Sequence, residues 1–304
     1  MRLIHVLTGC TAAGKTELAL RWSEACGGEI VSCDSLLFYR GLDIGTAKPT
    51  PAERARVPHH LIDVCGLRER MDVTRFVALA RTAVDNILGR GRQVLVTGGS
   101  GFYLKAFFAP VADGVDVPAA LREEIRGRLE REGLTALLDE LVALNPAGLG
   151  RLDVHNPRRV VRALERCRAS GRALAELQAE FEAQEPPFAD CDVRLAEIGR
   201  EPAELDRRIE ERVHAMMEAG LVEEVRAAIP AGLRDNPSAA GAIGYRETLD
   251  HIDGRLALAE LVPAIVKNTR ALVKKQRTWF RTQLPAHATI TAGSDSRSAF
   301  SAPR

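Results

Sequence analysis

Four residues near the amino terminus, Gly9, Gly14, Lys15 and Thr16, fit the spacing G-x-x-x-x-G-K-[ST] without a mismatch. A glycine-rich turn of this kind lets backbone N–H groups point inward around an anion, and the helix that follows adds a favourable dipole. Lys15 is placed to reach terminal phosphates and the Thr16 hydroxyl to ligate Mg²⁺. The apolar run at 4–8 before the loop and the helical pattern after it are the context that separates this motif from a plain glycine turn. The chemistry is the binding of a di- or triphosphate. Asp34 closes the next apolar run, 29–35. A carboxylate there can take a proton from an acceptor or hold a metal, although turns and helix caps also use aspartate. Ser100, in Gly98-Gly99-Ser100-Gly101, can offer a hydroxyl and a backbone N–H to the same phosphates. The run before it, 93–97, ends in Thr97-Gly98-Gly99 rather than in a nucleotidase aspartate, which counts against ATP or GTP hydrolysis. Phosphoryl transfer with the acid elsewhere, and use of diphosphate as a leaving group, both remain open.

These residues need strands to hold them. Apolar runs at 4–8, 29–35, 59–64 and 93–97 alternate with helical patterns, of which 72–88 is the clearest. That alternation predicts an α/β fold, a parallel sheet flanked by helices, with ligands beyond the carboxyl ends of the strands. The phosphate loop, Asp34-Ser35 and Gly98-Gly99-Ser100 then meet at one edge. From about residue 114 to 188 the pattern is wholly helical, with helices expected at 118–132, from Leu134 onward, at 157–170 and around 174–181. The strand-like 192–199 follows, so residues 114–188 read as a helical subdomain inserted into a core of 1–113 and 189–304. Helices are expected at 203–219 and 221–229, with a long last one that Pro263 either begins or kinks. The Ala-, Ser- and Thr-rich tail is expected to fray after residue 292.

A net charge of +1 says nothing about a nucleic-acid partner, so local clusters must. Between Arg151 and Arg172 seven arginines face two acids, with Arg158, Arg159, Arg162 and Arg166 largely on one helical face. Lys267, Arg270, Lys274, Arg277 and Arg281 form a second stripe, and 267–281 contains no acid. Such uninterrupted patches favour phosphate contacts over a solvated face. Trp279 and Phe280 read as core. The six cysteines and seven histidines show no metal-ligand spacing, which points to free thiols in a reducing cytosol. No apolar run is long enough to cross a membrane, and the chain leads straight into its first strand, so a cytoplasmic protein is expected.

Taken together, these residues resemble the tRNA dimethylallyltransferase (tRNA isopentenyltransferase) family. The loop at 9–16 is similar to G-P-T-A-S-G-K-T, Ser32-Cys33-Asp34-Ser35 to S-x-D-S, and Asp43 through Pro49 to D-I-G-T-A-K-P. Gly98 through Tyr103 resembles G-G-T-G-L-Y, 157–165 an R-x-x-R-A-L-E helix, 242–247 A-I-G-Y-[KR]-E, and 269–281 T-R-x-x-A-K-R-Q-x-T-W-F-R. The fold implied is P-loop NTPase-like with an inserted helical tRNA-binding subdomain.

The resemblance implies transfer of the dimethylallyl group of dimethylallyl diphosphate to N6 of the adenosine 3′-adjacent to the anticodon, with Mg²⁺. By that likeness Asp34 is the general base, Lys15, Thr16, Ser100 and Arg212 are its catalytic companions, and Thr16 holds the metal. Gly9, Thr11, Ala12, Ala13, Gly14, Lys15 and Thr16 would bind the diphosphate. Asp34, Ser35, Leu36, Leu37, Ser100, Arg122, Arg158, Arg159, Arg162, Gly244, Tyr245 and Arg246 would contact the tRNA anticodon stem-loop. A monomer without membrane association is expected. An adenylate isopentenyltransferase acting on free nucleotide and a small-molecule kinase of the P-loop type are the rival readings. Cys10, Ala13, Ser100, Lys275 and 153–156 depart from the family pattern. None of these departures touches Asp34, Lys15 or Thr16.

Overall fold

The computed structural model describes residues 2–291 and Phe300. The chain divides into two compact units, one of residues 1–109 with 186–304, the other Pro110–Glu185.

The larger unit begins β1 (Arg2–Thr8), α1 (Lys15–Cys26), β2 (Gly28–Ser32), α2 (Pro51–Arg56), β3 (His59–His60), α3 (Val73–Gly89), β4 (Gln93–Thr97) and α4 (Gly101–Lys105). The smaller unit holds α5 (Ala119–Ala143), α6 (Pro157–Ser170) and α7 (Leu174–Glu182). The larger unit then resumes with β5 (Cys191–Gly199), α8 (Pro202–Glu218), α9 (Leu221–Ala228), α10 (Pro237–Ala240), α11 (Tyr245–Ile252), α12 (Leu258–Gln283) and β6 (Ala288–Thr291).

The six strands form one sheet in the order β3-β2-β4-β1-β5-β6, every pairing parallel. Parallel strands are covered on both faces and so run nearly continuously apolar. Ile4, Val6, Leu7, Ile30, Val31, Val94, Leu95 and Val96 are accordingly buried. Because β4 lies between β1 and β2, the loop after β4 sits between the phosphate loop and Asp34. Helix α1 closes one face with Leu18, Ala19, Leu20 and Trp22, against which His5 and Phe300 stack.

In the smaller unit, α5 is interrupted at Gly133 (φ 79°) and packs with α6 and α7 around Ile125, Leu137, Leu141, Val160, Leu164 and Leu177. Asn156 caps α6 through the Arg159 N–H, Pro157 opens it and Gly171 (φ 68°) ends it.

Three expectations need correction. The run at 59–64 pairs only at His59–His60, because Leu61 and Asp63 adopt left-handed φ of 61° and 57° and turn the chain away. Pro263 does not begin the last helix, which starts at Leu258 and carries the proline inside. A sixth strand, β6, forms in the tail by pairing with β5. The fraying expected after residue 292 falls outside the described residues, Phe300 excepted.

Candidate active site

Helix α1 starts at the phosphate loop with Gly14 in a left-handed conformation (φ 97°) as its N-cap. Ala12 is also left-handed (φ 65°). Alternation of hand along a loop turns successive N–H groups to one side, which is what an anion requires. The loop is braced from behind through its carbonyls: Arg200 Nε donates to Ala13 O at 2.6 Å and Arg208 Nε to Ala12 O at 2.8 Å. Gly9 packs against β5 so closely that a Cβ there would lie 2.6 Å from the Ile198 side chain.

Lys15 Nζ donates to Gly9 O at 2.8 Å and Cys10 O at 3.0 Å, leaving one ammonium N–H for a ligand. Burial pushes the Lys15 ammonium down to about 8, with the Asp34 carboxylate opposing the shift and Arg212 adding to it. Burial likewise holds the Arg212 guanidinium below its usual range, again opposed by Asp34. Arg212 Nη2 donates to Thr46 O at 3.2 Å. Asp34 therefore sits within the field of two cations that are poorly solvated.

The floor of the site is the meeting of β2 and β4. Cys33 N donates to Thr97 O at 2.8 Å, and a Cβ on Gly98 would fall 2.0 Å from Cys33 O, so only glycine fits. Thr8 Oγ1 donates to Gly98 O at 3.1 Å. Ser100 Oγ accepts from Ser35 N at 2.9 Å and donates to Ser35 Oγ at 3.2 Å. Asp34 Oδ1 accepts from Leu36 N at 3.1 Å, an Asx-type turn that fixes the carboxylate.

Two cavities meet here. One, of about 610 Å³, is lined by Ser35, Leu36, Ser100, Phe102, Arg246, Lys275 and Trp279 among others. The other, of about 540 Å³, is lined by Gly14, Lys15, Thr16, Leu37 and Arg208 among others. Thr11, Asp34, Thr46, Gly99, Arg212 and Gln276 line both. One cavity is thus built for an anion, the other is broad and walled by aromatic and basic side chains, and Asp34 stands at their junction.

Gln276 was not among the residues expected at the site. Its Oε1 accepts from Thr11 N at 3.0 Å and Thr11 Oγ1 at 3.3 Å, while Nε2 donates to Gly99 O at 3.0 Å. It ties α12 to both loops. Glu224 was missed as well: its carboxylate accepts from the N–H groups of Asp43, Ile44 and Gly45 and from the Tyr245 hydroxyl at 2.6 Å. An acid closing three consecutive N–H groups has no local sequence signature.

Not every expected contact residue faces a cavity. Tyr245 is fully buried, and burial together with Glu224 pushes its hydroxyl pKa well up. Gly244 donates its N–H to Glu247 at 2.7 Å as the start of α11, leaving Arg246 to line the broad cavity. Arg122, Arg158, Arg159 and Arg162 are exposed on the smaller unit, Arg162 3.5 Å from Glu165. Two members of the basic clusters are neutralised within the fold, Arg166 by Asp113 and Arg270 by Asp206 and Glu210. Lys267, Lys274, Lys275, Arg277 and Arg281 are exposed on α12. Among the described residues no three His, Cys, Asp or Glu side chains cluster as a metal site, and no helix is long and apolar enough to cross a membrane.

The IPP transferase family model matches residues 37–283. A protein of Opitutus terrae named tRNA dimethylallyltransferase is 63% identical over 289 residues, 95% of this chain and 93% of its own. The chain belongs to the tRNA dimethylallyltransferase family. Among solved members, the tRNA isopentenylpyrophosphate transferase of Bacillus halodurans is 31% identical, with a TM-score of 0.67 over 96% of this chain and 90% of its own. A eukaryotic dimethylallyltransferase acting on tRNA shares the fold, with a TM-score of 0.81 at 23% identity over 96% of this chain and 74% of its own. The six-stranded parallel sheet and its phosphate loop are thus those of a tRNA dimethylallyltransferase.

Proposed function

We propose that this chain transfers the dimethylallyl group of dimethylallyl diphosphate to N6 of the adenosine 3′-adjacent to the anticodon of a tRNA. The observation that carries the reading is the position of Asp34, shared by an anion cavity and a broad acceptor cavity. The diphosphate belongs on the phosphate loop, with Lys15, Arg208 and Arg212 as its cations. The adenine enters from the other side.

An exocyclic amine is a weak nucleophile because its lone pair is delocalised into the ring. The bond from N6 to the allylic carbon forms as the carbon–oxygen bond to diphosphate breaks, and the electron pair leaves with diphosphate. Asp34 takes the N6 proton as the amine becomes cationic. The allylic carbon tolerates positive charge, so the larger demand is stabilising the departing diphosphate, which preorganised N–H groups and cations meet. Magnesium commonly uses one or two protein oxygens and fills its shell with substrate phosphate and water. The Thr16 hydroxyl, lining the same cavity as Asp34, fits that role. Bound there, the ion would neutralise leaving-group charge.

The target base must leave its stack to reach Asp34. The exposed arginines of the smaller unit, Arg122, Arg158, Arg159 and Arg162, are assigned to the anticodon stem-loop, and a monomer suffices. The decisive experiment incubates the protein with Mg²⁺, labelled dimethylallyl diphosphate and unmodified tRNA, with AMP and ATP as parallel acceptors. Label in tRNA alone is expected. Label in free nucleotide would indicate the adenylate enzyme, and phosphoryl transfer from ATP without label would indicate a kinase.

A further inference from the structure

Phe102 is 55% exposed, yet it lines the broad cavity together with Asp34 and Ser100. The other exposed large apolar side chains among the described residues, Val142, Leu144 and Leu258, do not line it. The backbone around Phe102 is pinned. Ser100 caps α4, the Trp279 ring lies so close to Gly101 that a Cβ there would meet it at 2.3 Å, and Leu104 is buried. The Tyr103 hydroxyl donates to Met71 O at 3.2 Å. Phe102 is therefore held at the rim by neighbours that are themselves fixed, and it makes no ring contact with another described aromatic. The motif that 98–103 resembles has leucine at this position, so the ring distinguishes this chain. Arg246 and Lys275 line the same cavity and can take the phosphates on either side of an extruded nucleotide.

An open aromatic face beside cations is how single-stranded RNA is held, each base offering a π-face to stack upon. We propose that Phe102 is a stacking platform for an unpaired nucleobase adjoining the target adenosine. It makes this chain prefer purine over pyrimidine at that neighbour, because the larger ring system overlaps more. The inference rests on the acceptor being the adenosine of a tRNA loop.

The test uses anticodon stem-loop RNAs carrying each base in turn on the 5′ and 3′ sides of the target, and a parallel set with 2-aminopurine at those positions. With the unaltered protein, kcat/KM is expected to favour purine by about five- to tenfold on one side, with 2-aminopurine emission quenched there on binding. In Phe102→Leu the preference and the quenching are lost, with the change in KM for RNA. In Phe102→Trp both are retained. A preference and quenching unchanged in Phe102→Leu, or absent at both neighbours with the unaltered protein, would overturn the assignment. Absence of transfer to any RNA would instead overturn the proposed reaction, and the fluorescence arm would still report stacking.

Discussion

Gln276 and Thr11, which are 265 residues apart, are joined by two hydrogen bonds, the amide oxygen of Gln276 accepting both the backbone N–H and the hydroxyl of Thr11. The same side chain donates to Gly99 O. Gln276→Leu leaves the Thr11 N–H and the Gly99 carbonyl without their partner, at about 1 kcal/mol for each hydrogen bond lost. We expect kcat/KM for dimethylallyl diphosphate to fall about tenfold, with affinity for tRNA unchanged. Steady-state kinetics beside a tRNA-binding titration checks this, and an unchanged kcat/KM would remove Gln276 from the site.

Asp34→Asn preserves an oxygen that can accept the Leu36 N–H, so the turn survives while the base is lost. Turnover should drop by about 10²–10⁴-fold with tRNA still bound. Single-turnover transfer paired with filter binding separates the two effects. Near-normal transfer would mean that another group takes the N6 proton.

The Lys15 ammonium, pushed down to about 8 by burial, titrates within reach of ordinary assays. Its protonated form is the one that attracts diphosphate. Activity governed by the free enzyme is therefore present below that value and declines as pH rises through it. A profile of kcat/KM for the diphosphate from about pH 7 to about pH 9.5 should show this fall. Lys15→Arg, whose charge persists, should flatten the limb at a lower plateau. A descending limb that remains in Lys15→Arg would assign it to a different group.

Arg158 and Arg162 lie exposed on α6 one turn apart. Replacing both with Ala should weaken tRNA binding at low salt and reduce the slope of log affinity against log salt by about 1 to 2. Because Arg162 is near Glu165, its share should be the smaller. Equal salt slopes for variant and parent would exclude both from the RNA surface.

The anion half of the site is legible in the chain because everything it needs is local. Gly9 through Thr16 lies between β1 and α1, and the parallel sheet carries Asp34 and Ser100 to the same edge without further information. What escapes a linear reading is reciprocity across the fold. Arg270 belongs to a basic stripe by spacing, yet Asp206 and Glu210 of α8 reach it and remove it from the stripe. Arg166 is claimed in the same way by Asp113. Arg200 and Arg208 look like ordinary helix-start arginines until their guanidiniums are found on the phosphate-loop carbonyls. The shortness of β3 follows from two left-handed residues, Leu61 and Asp63, whose types do not advertise that conformation.

The contact at Gly98 limits how this enzyme can be altered. With a Cβ there only 2.0 Å from Cys33 O, the loops bearing Asp34 and Ser100 share one rigid floor, and neither can shift without the other. Laboratory selection for a new acceptor would therefore find little freedom beneath the reacting base. Its accessible variation is in the rim, where Phe102, Arg246 and Lys275 can be exchanged without disturbing the backbone that places the general base.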